Sequence, residues 1–177
     1  MTNSLIRIFV LAFAMVAFIA PQAKADMPIG VIDLAKIIET SAAGKDLQAK
    51  FKTRKEAVQK EADTFESDLK AKEQALIKDS KTMDEKAFNE KRATVGKDLQ
   101  KKKEAIISKN VALEKSKNGA LKSIQAKVAQ ICADIAEQKK IQVILDRSAV
   151  VIAQQSLDIT ADVITKLDST LKTVDLK

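Results

Sequence analysis

Apolar residues recur at three- and four-residue steps through a proline-free stretch from Leu34 to about Lys139. They run Phe51, Val58, Ala62, Phe65, Leu69 and Leu76, and then Phe88, Val95, Leu99, Ile106, Leu113, Ala120, Ile124, Val128, Ile131 and Ile135. This is the period of an amphipathic helix or coiled coil. The rhythm stops once, at Lys78 to Asp84, where small polar residues cluster and Thr82 and Glu85 have the spacing of a reciprocal helix cap. The pattern therefore predicts two helices folded into a long antiparallel hairpin over 34–140, with its tip near 78–84. An outgoing arm from Ala35 to Lys78, rising about 1.5 Å per residue, is about 65 Å long, so the tip stands clear of any globular base.

Flanking this arm are short β-branched runs. Ile29 to Asp33 reads as a strand; Ile141 to Leu145 and Ala149 to Ala153 read as two more, separated by a turn at Asp146 to Ser148. Thr160 is placed to cap a last helix whose Val163, Ile164, Leu167 and Leu171 share a face. The expected fold is α+β, mostly α: a helical hairpin inserted in a small β-rich body made of 26–33 and 141–177. Three short strands and one helix bury little apolar surface and leave sheet edges unpaired, which predicts an oligomer. Val31, Ile32, Val143, Ile144, Leu145, Val151 and Ile159 are the residues expected to build that oligomerisation body.

The arm's seam looks weak. Following the register places Lys55, Lys72, Arg92, Lys102 and Lys109 at positions where a stable coiled coil carries aliphatic residues. Gly96 and Gly119 cost helix stability unless close packing demands them, and the alternative is a flexible arm. Cys132 lies beside Ile131 on the apolar side, where a thiol acts as a small hydrophobe; an intermolecular disulfide is the alternative.

Charge and compartment sharpen this picture. The first 25 residues read as a signal peptide: Arg7, an apolar run from Ile8 to Ala20, and Ala23-Lys24-Ala25 as the cleavage signal. The apolar run is too short to span a membrane, so the mature protein is expected to be exported with cleavage after Ala25. Between Lys50 and Lys117 there are 19 Lys and Arg against 13 Asp and Glu, so the arms carry the positive excess of the chain. Such a field attracts acidic chains or anionic lipid head groups.

The order of signal peptide, strand ending in Val31-Ile32-Asp33, basic helical hairpin, Val143-Ile144-Leu145-Asp146, and Asp158-Ile159-Thr160-Ala161-Asp162-Val163 resembles the Skp (OmpH) family of periplasmic chaperones. The resemblance implies a homotrimer with a shared β-rich body and three helical tentacles around a cavity. It implies ATP-independent holding of unfolded outer-membrane β-barrel proteins in the periplasm, and a basic patch on the tentacles for lipopolysaccharide. Near the tip, Lys78, Lys81, Lys91 and Arg92 are the candidates for client or anionic-lipid contact.

Other classes fare worse. With no His, Trp or Tyr, no metal-ligand spacing and no nucleophile placed beside a conventional base, the chain offers no catalytic constellation, cofactor or metal site. Three Phe beyond the leader give little for base stacking, which argues against physiological nucleic-acid binding. A periplasmic coiled-coil scaffold or adaptor shares the hairpin and the leader. The lysine- and glycine-interrupted seam argues against such a rigid spacer.

Overall fold

The computed structural model describes residues 27–176. The signal-peptide reading falls on residues outside that range. Strand β1 (Ile29–Ile32) is followed by a short helix α1 (Leu34–Thr40), the outgoing arm α2 (Ala42–Asp79) and the returning arm α3 (Glu85–Lys139). Strand β2 (Val143–Asp146), two single turns of 3-10 helix, and helix α4 (Thr160–Thr170) complete the order. The two strands are parallel, with Ile29 opposite Val143 and Ile32 opposite Asp146. Parallel neighbours need a crossover connection, and here the crossover is the entire hairpin.

The hairpin follows the apolar rhythm, and its tip turn falls between Asp79 and Glu85. Its caps differ from expectation. The α3 N-cap is Asp84, whose Oδ1 accepts the Ala87 N–H at 2.9 Å; Thr82 lies in the turn. Aspartate accepts this bond as well as a hydroxyl does and adds a charge that the helix N-terminus favours. Thr160 likewise does not cap α4. Its own N–H goes to Asp158 Oδ1 at 2.9 Å, and its Oγ1 accepts the Asp33 N–H at 2.9 Å, tying the last helix to the end of β1.

The outgoing arm is broken near its start, which the helical rhythm hides. Ser41 adopts an extended conformation (φ −66°, ψ 156°), and its hydroxyl accepts from the Gly44 N–H. Asp168 of α4 takes the Ala42 N–H at 2.7 Å, so a carboxylate from the far end of the chain completes the start of α2. Gly44 is required here, because a Cβ would stand 1.7 Å from the Ile38 carbonyl oxygen. α3 ends at Lys140 in the left-handed region (φ 57°), and the Ile141 N–H turns back to the Ala136 carbonyl at 2.9 Å.

The expected strand at Ala149 to Ala153 is absent. Asp146 accepts the Ser148 N–H, which starts a 3-10 turn at Arg147–Ala149, and the chain then runs on without a ladder. β1 instead has a single bridge on its other side, between Val31 and Asp158. A strand exists only where a neighbour accepts its hydrogen bonds, and within one chain this segment has none.

The core lies at the root of the hairpin. Ile37, Leu47, Ile124, Val128, Ile131 and Ile135 pack with Ile159, Val163 and Leu167 of the body. Cys132 belongs to the same cluster, and burial raises the pKa of its thiol. Val174 and Leu176, beyond the end of α4, are buried there too. Their alternation with exposed Thr173 and Asp175 marks an extended tail, a segment that carries no helical period.

Candidate functional site

Beyond the root the two arms form one continuous surface with no sealed interior. From Gln48 to Ala112 no side chain is buried. The predicted seam residues Phe51, Val58, Ala62, Phe65, Leu69 and Leu76, facing Phe88, Val95, Leu99 and Ile106, are all half-buried. Two helices alone cover only one side of each apolar residue, and a third element is needed to close the remainder.

Small residues open the seam further. An apolar slot of about 510 Å³ lies between the arms, lined by Ala57, Phe65, Ala105 and Ile106 among others. Two cross-arm ion pairs, Lys102–Asp68 at 2.8 Å and Lys109–Glu61 at 2.5 Å, flank it. The Lys102 ammonium holds the Asp68 carboxyl below the usual carboxylate range by hydrogen bonding and by its charge. Of the cations expected in the seam, only Lys72 is half-buried; Lys55, Arg92, Lys102 and Lys109 are exposed. Their charges stay in water at the seam's edge, and those of Lys102 and Lys109 find acids on the opposite arm.

The glycines of the returning arm are not close-packing residues. A Cβ at Gly96 or Gly119 meets nothing within 4 Å, so each lowers helix propensity without a packing gain. At the tip, Lys78, Lys81 and Arg92 are exposed, and Lys91 pairs with Asp79 at 2.8 Å. Near the root, the Lys117 ammonium lies 4.4 Å from the centre of the Phe51 ring, a cation–π contact that bridges the arms where the core begins.

In the body, the seven residues assigned to oligomerisation fall into two groups. Val31 and Ile159 are buried in the chain's own core, with Ile32 and Ile144 packed against it. Val143 and Leu145 are 38% and 37% exposed on one face of β2, and Val151 is 99% exposed with Ile152 beside it at 88%. Asp158 is held below the usual carboxylate range by hydrogen bonds from Thr160, and Asp146 by those from Ser148.

The residues that fasten the arm's root were not visible as a pattern. The Val174 N–H donates to Asp46 Oδ2 at 2.9 Å, Lys50 Nζ to the Val174 carbonyl at 2.9 Å, and Arg54 Nη1 to the Leu176 carbonyl at 2.5 Å. Asp46, Lys50 and Arg54 sit at four-residue steps on α2, a spacing shared by many surface ion pairs. Only the apolar alternation of Val174 and Leu176 hinted that something had to receive the tail.

A small parallel-strand body carrying one long, thinly packed helical hairpin defines a body-and-arm class of protein, built to project a surface away from its core. Residues 28–167 match the family model of outer membrane proteins of the OmpH-like type, and the chain belongs to that family. It is 29% identical to the chaperone protein Skp of Yersinia enterocolitica over an alignment of 144 positions that covers 77% of this chain and 83% of that one. An OmpH-like crystal structure from Caulobacter crescentus superposes with a TM-score of 0.72 at 26% identity, covering 84% of this chain and 88% of the other.

Proposed function

We propose that this protein is an ATP-independent periplasmic holdase for unfolded outer-membrane β-barrel proteins. The observation that carries this reading is the distal arm: half-buried apolar residues in a continuous line, an open slot between the helices, and a rim of exposed lysine charge. Unfolded barrel strands expose alternating apolar residues that pair with one another and aggregate. Many weak contacts on a tethered arm hold such a chain through effective concentration. The arm contacts impose no tertiary fold on the client, so folding is left to the destination membrane.

The same reading makes the body an oligomerisation module, with a homotrimer as the expected state. Val143, Leu145 and Val151, with Ile152, present apolar surface and unpaired backbone that copies of the body can cover. The tip cations Lys78, Lys81, Lys91 and Arg92 serve client or anionic-lipid contact, lipopolysaccharide included. Export with cleavage after Ala25 belongs to this proposal.

The test is dilution of a urea-unfolded outer-membrane barrel protein into buffer containing the mature protein and no nucleotide. A soluble complex of defined stoichiometry supports the holdase. If the client aggregates as fast as it does alone, the scaffold reading replaces it. Val151→Asp is expected to dissociate the oligomer in sedimentation without loss of helicity; an intact oligomer removes this surface from the interface.

A further inference from the structure

The C-terminal tail presents an unused strand edge to an open groove. In an extended chain, the N–H and C=O of successive residues point to opposite sides. Val174 spends both of its groups on Asp46 and Lys50 of α2, and Leu176 directs its carbonyl to Arg54 on the same helix. The main-chain groups of Thr173 and Asp175 therefore point away from α2, and none of them has a hydrogen-bond partner among the described residues. On that side lies a groove of about 760 Å³ between the tail and α3.

The groove floor suits a backbone rather than a bulky group. Ala112, Ser116, Gly119 and Ser123 of α3 line it. Gly119 offers open space where a side chain would project. Ser116 is 7% exposed, and its hydroxyl has no partner among the described residues. A second set of amide groups lying in the groove has donors and acceptors to meet on the tail.

We infer that the groove between the tail and α3 is a docking site for an extended polypeptide segment, which adds as a strand to the edge formed by Thr173 and Asp175. Main-chain pairing supplies the attraction and the small-residue floor the clearance, the mode of β-strand addition. The occupant is a segment of unfolded client of alternating apolar and polar residues, so this inference rests on the holdase reading. The family match ends at Leu167, so the edge is built from residues beyond it.

The probe is a short synthetic peptide alternating valine and threonine with terminal lysines, together with a version N-methylated on alternate residues to remove its donors. Amide exchange at Thr173 and Asp175 is expected to slow by about tenfold when the unmethylated peptide is added to the oligomer. Gly119→Leu, which fills the groove from an open position, and Thr173→Pro, which removes one outward N–H, are each expected to weaken peptide binding by about fivefold or more. Thermal melting confirms that both variants fold, and suppression of barrel-protein aggregation is measured alongside. Equal binding of the methylated peptide, or unchanged binding by both variants, overturns the groove. If the wild-type chain protects Thr173 and Asp175 with peptide but does not hold the barrel protein, the groove stands and the holdase reading falls. Protection of both amides before any peptide is added shows another segment of this chain in the groove and overturns the assignment to a client.

Discussion

The same two helices behave as different materials at their two ends. At the root, Leu47 and the α3 face from Leu113 to Ile135 are sealed by α1, α4 and the tail. Beyond them, an equally regular apolar rhythm leaves every side chain from Gln48 to Ala112 at least partly in water. The periodicity does not change; the number of neighbours does. A heptad-like pattern therefore shows where a helix has an apolar face, and not whether that face is covered.

The largest contrast is expected from placing a charge on that face. Ile124→Asp, at a fully buried site, should cost more than about 4 kcal/mol in urea unfolding, because no partner exists for the carboxylate. Ile106→Asp, at a half-buried site in the arm, should cost less than about 1 kcal/mol. Equal costs would erase the distinction between root and arm. The glycines give the next largest difference, with opposite signs. Gly44→Ala drives a methyl into the Ile38 carbonyl and should destabilise by about 3 kcal/mol or more, whereas Gly119→Ala should stabilise by about 0.5–1 kcal/mol.

Smaller still is the cap that α4 provides to α2. Asp168→Ala should cost about 1 kcal/mol, read as a lowered midpoint of thermal unfolding. Acid offers a further contrast. Asp146, Asp158 and Asp68 all have folded pKa values below the ordinary 3.8. Their contribution is fully present above that value and is lost as pH falls through the depressed folded values. High salt should weaken the Asp68 contribution, which comes from an exposed ion pair, more than those of Asp146 and Asp158, which come chiefly from hydroxyl and main-chain hydrogen bonds. Amide exchange followed separately in arm and body during an acid titration checks this. The smallest effect is expected from Lys102→Ala, a few tenths of a kcal/mol and less at high salt.

These differences also explain what the sequence could and could not convey. The hairpin, its tip and the seam were legible because a 3.6-residue period extends over more than ten turns and overwhelms local noise. Ser41 and Gly44 were missed because a break that keeps the apolar phase leaves no gap in the rhythm; the requirement for glycine comes from the close approach of Ile38, a tertiary fact. The run Ala149 to Ala153 has strand composition, but composition cannot supply a partner. The tip lysines were legible only as charge, and the pairing of Lys91 depended on the opposite arm bringing Asp79 alongside. Asp46, Lys50 and Arg54 could not be distinguished from solvated ion pairs until the tail lay across them.

The parallel pairing of β1 with β2 imposes an order on folding. Ile29 and Val143 are more than a hundred residues apart, and closing a flexible loop of that size costs about 4 kcal/mol or more in chain entropy. A preformed hairpin removes most of that cost, because each arm is helical and the tip turn is local. Folding is therefore expected to zip from the tip, where the contacts are weakest, toward the root, where they are strongest. The Lys91–Asp79 pair, of little account at equilibrium, sits where that zipper starts. Its removal should slow folding by no more than about twofold, in step with its small equilibrium worth, while leaving the unfolding rate nearly unchanged, the kinetic signature of a contact made early.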